Sequence, residues 1–132
     1  MVYLSSLMTL QQQMAALAPQ QSAQYQQRLT ERLSALNAEG VDAQRLAQEV
    51  ALFADRCAID EELSRLQAHC QQMQQLIESS EPAGRKMDFL AQEMHREANT
   101  ITSKSSELEI TRLALESKAL IEKLREQVQN VE

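Results

Sequence analysis

The 132 residues contain only two glycines and two prolines, 3% aromatic side chains and no tryptophan. That composition gives a β-sheet little to pack with and favours long helices. A formal net charge of −6 and a pI near 5.0 argue against a generic polyanion-coating protein.

The acidity is uneven: residues 1–84 carry five arginines against ten acids, and residues 85–132 carry eight lysines or arginines against nine. A nucleic-acid partner would therefore be met by the second half. No run of 18 apolar residues is present and no charged-then-apolar signal opens the chain, so a soluble, cytoplasmic protein without a membrane partner is expected. Cys57 and Cys70, 13 residues apart in one expected helix, would sit roughly 20 Å from each other, too far for a disulfide. Free thiols on apolar stripes, in a reducing compartment, are the expectation.

In chain order, residues 1–18 read as a helix with Leu4, Leu7, Met8, Leu10, Met14 and Leu17 at helical spacing, stopping near Pro19. A Gln-dense second helix follows from about Ser22 to Ala38, with Tyr25, Leu29, Leu33 and Leu36 apolar, then a turn over 39–42. From Ala43 to Ile77 nothing breaks helical character, which predicts one long helix. Its stripe shifts, however, from Leu46, Val50, Phe53 and Cys57 to Ile59, Leu63, Leu66, Cys70, Met73 and Ile77. The step from 57 to 59 rotates the apolar face by about 200°, as though the helix changes packing partners beside Asp60, Glu61 and Glu62.

Residues 79–84, with Pro82 and Gly84, read as a loop. A helix then runs from Gly84 to about Thr102, its stripe made by Met87, Leu90, Ala91, Met94, Ala98 and Ile101. Residues 103–106 break it. Ser106 and Glu109 have capping-box spacing for a last helix with Leu113, Leu120, Ile121, Leu124, Val128 and Val131 inside. The predicted fold is all-α, with long antiparallel helices forming coiled-coil-like hairpins. Its core is thin for the length, so part of the apolar surface is expected to meet another copy or a further domain.

The chemistry concentrates on helix 84–102. Glu93 and Glu97 are four apart and share a face, a spacing that suits either a divalent cation or neutralisation by Arg96. Glu62, Arg65 and His69 share a face of the preceding helix. There Arg65 could orient a carboxylate and His69 shuttle a proton, or all three could form a solvated ion-pair ladder. Glu122, Arg125 and Glu126 repeat the acid–Arg–acid pattern, and His95 reads as a surface residue. Phosphate-binding Gly loops, zinc spacings and a Gly-x-Ser-x-Gly elbow are absent, which disfavours nucleotide hydrolysis and the common hydrolase chemistries. Stacking platforms for single-stranded RNA are nearly missing, with only Tyr3, Tyr25, Phe53 and Phe89 available.

The segments Glu61–His69, Gly84–Thr100, Ser103–Ser105 and Glu122–Glu132 resemble the C-terminal half of the YicC-like family of bacterial proteins. The likeness covers residues 43–132 well and the Gln-rich segment 1–42 loosely, which divides the chain into a partial N-terminal helical segment and a family-like helical domain. The resemblance implies a metal-assisted endoribonuclease using magnesium or manganese, acting on RNA and assembling as a homo-oligomer, reportedly a hexamer. It implies catalytic roles for Glu62, His69, Glu93 and Glu97, metal binding by Glu93 and Glu97, and RNA contacts from Arg85, Lys86, Arg96, Asn99 and Lys104. Three departures stand out. Ala58 occupies a place where the family usually has Asp, with Asp60 following Ile59; His95 stands where Asn is usual; and the family's sizeable N-terminal domain has no counterpart, as expected of a fragment or of an abbreviated relative. The alternative is a non-catalytic helical oligomerisation module of an RNA-processing protein.

Overall fold

A computed structural model describes residues 2–36, 43–79, 82–105 and 107–131. It contains five helices among the described residues: α1 (Val2–Leu36), α2 (Ala43–Cys57), α3 (Asp60–Glu78), α4 (Gly84–Lys104) and α5 (Leu108–Val131). No strand occurs among the described residues, and the fold is all-α. The expected turn at 39–42 and Ser106 of the capping box lie outside the described residues. So do the side chains of Tyr25, Leu33, Leu36, Leu46, Phe53, Cys57 and Val131.

α1 and α4 each pack on both α3 and α5, closing a ring of four helices, while α2 packs on α1. The neighbours around the ring run antiparallel. On α1 and α3, Gln11 meets Leu63 while Leu4 and Met8 border a pocket with Gln74. On α3 and α4, Arg65 pairs with Glu97 and Glu62 with Lys104. Asp88 and Arg125 join α4 to α5, and Lys123 of α5 lies over the ring of Tyr3. This is an antiparallel four-helix bundle.

The core is the one the stripes describe. Leu4, Leu7, Leu10, Met14 and Ala18 of α1 meet Ile59, Leu63, Leu66, Cys70 and Met73 of α3. Leu90, Ala91, Met94, Ala98 and Ile101 of α4 join Ile110, Leu113, Ala114, Ile121 and Leu124 of α5 in the same cluster. Each fully buried Leu, Ile or Met contributes roughly 1.5–3 kcal/mol relative to exposure. Gln11 breaks the apolar seam of α1 yet is 5% exposed; its Nε2 donates to the Leu63 carbonyl at 3.1 Å, which satisfies the buried amide and ties α1 to α3. Burial pushes the Cys70 thiol up to about 12, so it is an inert core thiol.

Two helix boundaries differ from expectation. Pro19 does not end the first helix: α1 runs through it. A mid-helix proline costs about 3 kcal/mol, and the described buried residues of α1, Leu4 to Ala18, all precede it. Conversely, the long helix expected over 43–77 is two helices. Ala58 and Ile59 interrupt it, Ile59 having φ −121° and ψ 11°, and α3 starts afresh with the Leu63 N–H donating to the Ile59 carbonyl at 2.9 Å. The rotation of the apolar stripe between 57 and 59 marks this break. Asp60, Glu61 and Glu62 thereby become the first turn of a helix, where carboxylates are favoured by the positive end of the dipole. The turn before α5 is held by Ser105, whose Oγ donates to the Glu107 carbonyl at 2.9 Å and accepts from the Glu107 N–H at 3.2 Å.

Candidate functional site

The α3–α4 seam carries two carboxylates where the packing pattern calls for apolar residues. Glu97 lies three residues after Met94 and four before Ile101, inside the buried stripe of α4, and is 6% exposed. Glu62, in the first turn of α3, is 4% exposed. Burying an ionised carboxylate is costly unless it is paired and hydrogen-bonded, and both acids are paired. Arg65, one turn beyond Glu62, donates its Nε–H to Glu97 Oε1 at 2.9 Å, and its Nη atoms reach Glu62 Oε1 and Glu61 Oε2, each at 3.5 Å. Lys104 at the end of α4 donates from Nζ to Glu62 Oε1 at 2.8 Å. One arginine thus bridges carboxylates from two helices.

The electrostatics follow from these contacts. Burial pushes the Glu62 carboxyl up, but the hydrogen bonds from Lys104 and from its own backbone N–H, with the Lys104 and Arg65 charges, outweigh that and hold it below its ordinary value. Arg65 is held above its ordinary value chiefly by the hydrogen bond to Glu97. Two shielded atoms on the same α3 face have no hydrogen-bond partner among the described residues: Glu62 Oε2 and His69 Nδ1. Buried polar atoms of this kind are uncommon and call for an explanation.

His69 follows Arg65 by one turn, so the register that joins Arg65 to Glu97 sets His69 opposite Glu93, one turn earlier on α4. Both are half-buried, and no ion pair joins them. Arg96 and Asn99 are exposed on α4 near these positions. Arg96, considered as the neutraliser of Glu93 and Glu97, makes no ion pair among the described residues; Arg65, from the facing helix, takes that place at Glu97. Lys104 is engaged by Glu62 rather than free at the surface. Arg85 and Lys86 lie in the first turn of α4, eleven or more residues before Glu97 and so at least about 16 Å away along the helix.

The donors do not form a cage for a divalent ion. Glu97 Oε1 is taken by Arg65, Glu62 Oε1 is shared by Lys104 and Arg65, and no three His, Cys, Asp or Glu side chains converge on a metal position among the described residues. A third interhelical pair does not follow from the repeated acid–Arg–acid spacing. Arg125 donates from Nε to Asp88 Oδ1 at 3.1 Å, instead of pairing with Glu122 or Glu126 on its own helix, and Gln92 Nε2 donates to Asp88 Oδ2 at 3.1 Å.

The chain has clear relatives. The family model described as endoribonuclease YicC-like, C-terminal, matches residues 14–132. A probable endoribonuclease YicC of Clostridioides difficile (strain 630) is 48% identical over 110 residues, covering 82% of this chain and 38% of the relative. A probable endoribonuclease YicC of Haemophilus influenzae is 47% identical over 92 residues, covering 70% of this chain and 32% of the relative. The chain therefore spans well under half the length of these relatives. Because the family match takes in α2 to α5 and with them every residue of the α3–α4 seam, the chain belongs to the YicC-like endoribonuclease family through its C-terminal region.

Proposed function

We propose that the chain is the helical part of an RNA-cleaving enzyme, and that phosphodiester cleavage takes place along the α3–α4 seam at His69 and Glu93. Family membership and the relatives' name as probable endoribonucleases support RNA as the substrate class. One observation carries the location: Arg65 ties two buried carboxylates on facing helices, and the register it sets brings His69 opposite Glu93. Packed apolar residues would stabilise a bundle as well or better, so a buried ionic bridge is better explained by the arrangement it specifies.

In this reading His69 moves the proton, being the side chain suited to proton transfer near neutral pH, and Glu93 is its carboxylate counterpart. Arg96, exposed three residues beyond Glu93 and so one turn along the same side of α4, contacts phosphate, whereas Asn99, two residues past Glu97, faces away from the seam. Glu62 and Glu97 act by holding Arg65 and the seam, with Lys104 completing the charge balance at Glu62. Glu93, which is in no ion pair among the described residues, would be the carboxylate that holds a magnesium or manganese ion together with an RNA phosphate.

Assembly of several copies is also part of the reading. Leu108 and Leu115, seven residues apart on one face of α5, are 82% and 51% exposed, an apolar face suited to a second copy. The buried free thiol of Cys70 fits a reducing cytoplasm. Glu93→Gln and Arg96→Ala test the site. Both should slow cleavage of a labelled single-stranded RNA while leaving the melting temperature in place, and unchanged cleavage in both would reject it.

A further inference from the structure

At the far end of the same two helices, a groove of about 520 Å³ opens between α3 and α4, within the roughly 300–1,000 Å³ range of small-ligand pockets. Its floor is apolar, made by Leu76 and Leu90, and Gln72 and Gln75 supply amides along the α3 side. Phe89 lines it while remaining 61% exposed. Arg85 and Lys86 precede Phe89 by four and three residues, so both cations lie one turn away on its face. Among the described residues no carboxylate lines the groove, and the first turn of α4 holds no acid. Arg65, Lys104, Arg112 and Arg125 are all in ion pairs, whereas Arg85 and Lys86 are in none among the described residues. In a chain of net charge −6 this is a local inversion of sign beside an exposed aromatic ring.

We infer that this groove binds one nucleotide of a single-stranded RNA, with the base stacked on Phe89 and its flanking phosphates held by Arg85 and Lys86. The inference rests on the RNA reading above and adds a binding subsite to it. Charge complementarity selects an anionic occupant. The exposed ring selects one with a flat aromatic face, because stacking on a phenyl ring suits any base and needs the base unpaired. The glutamine amides, each with donor and acceptor, can meet a base edge. Phe89 lies four residues before Glu93 and eight before Glu97, or about 6 and 12 Å along the helix axis. The groove therefore lies about one helical turn from the proposed cleavage position. The scarcity of aromatics does not exclude stacking when one of the few is placed here.

The chain has no tryptophan, so Phe89→Trp introduces a single intrinsic reporter at an exposed position. A short oligoadenylate should quench its emission saturably, and an abasic ribose–phosphate chain of equal length should not. Phe89→Ala should weaken oligoadenylate binding, read by anisotropy, about 5- to 100-fold with the melting temperature unchanged. Arg85→Ala and Lys86→Ala should each lower the slope of log affinity against log salt by about 0.7. Oligoadenylate binding with no change in tryptophan emission, or equal quenching by the abasic chain, would overturn the subsite. So would tryptophan emission that shifts with protein concentration alone, because a second copy would then fill the groove. RNA cleavage that depends on His69 but not on Phe89 would remove this inference and leave the RNA reading standing. Absence of any RNA binding would remove both.

Discussion

Arg65 on α3 donates its Nε–H to Glu97 Oε1 on α4 at 2.9 Å, and the carboxylate it meets sits in the apolar stripe of its own helix. The pair makes the seam between the helices ionic at one point and apolar on either side. Removing Arg65 leaves the buried Glu97 carboxylate without its partner; removing both leaves a seam that can close. Arg65→Met, which orphans the buried carboxylate, should therefore cost roughly 1–3 kcal/mol, read as a fall in melting temperature, and Glu97→Ala should also destabilise. The double variant Arg65→Met/Glu97→Met should lose less than the sum of the single losses, measured by a double-mutant cycle in urea. Additive losses would show that the pair is not coupled.

Acid stability should depend on Glu62. Its carboxyl is held below the ordinary 4.5 in the folded chain, so the folded state favours the ionised form. The resulting stabilisation is fully present above the unfolded value and is lost as pH falls through the lower folded value. Glu62→Gln should flatten the acid limb of a stability curve below about pH 4.5 and lower the plateau near neutrality. Lys104→Met should act in the same direction, because it removes the hydrogen bond that most favours the ionised form. Chemical denaturation across pH 3–7 checks both.

Pro19 lies inside α1, where it withholds one backbone hydrogen bond. Pro19→Ala should raise the melting temperature without changing the far-ultraviolet helical signal. A helix that in fact ended at Pro19 would instead gain helical signal on this substitution.

Leu108→Asp and Leu115→Asp probe the exposed face of α5. If copies associate there, sedimentation should shift to a smaller species while each chain stays folded. Unchanged sedimentation would place the interface elsewhere or show that the chain does not associate.

Much of the bundle was legible because it is local. The stripes of α1 and α4 name most of the buried side chains, that of α5 misses Ile110, Ala114 and Ser117, and α4 begins at Gly84 as the Pro82–Gly84 punctuation indicates. The rotation of the stripe at residues 57–59 was visible, but helical propensity alone does not show whether a chain turns its face or breaks; the separate start of α3 decides that. Pro19 was misleading for the converse reason: α1 runs through it although its described buried residues all lie before it. The site was half legible. Glu62, Arg65 and His69 share a face by spacing, and Arg65 was a candidate for orienting a carboxylate. Its partner Glu97 lies on another helix, 32 positions away, at a register set by packing rather than by periodicity. Asp88 and Arg125 were hidden in the same way. The spacing of Glu97 from Met94 and Ile101 was the available signal that it belongs to the core stripe rather than to the solvent face.

The most direct test is the rate at which the purified chain and its His69→Asn variant, matched for folding by circular dichroism, cut a labelled single-stranded RNA. Proton transfer by a positioned side chain is worth about 10²–10⁴ in rate. The variant should therefore cut at least about a hundredfold more slowly while binding the RNA as well as the unaltered chain does. Cleavage at the unaltered rate would contradict the assignment of phosphodiester cleavage to the α3–α4 seam.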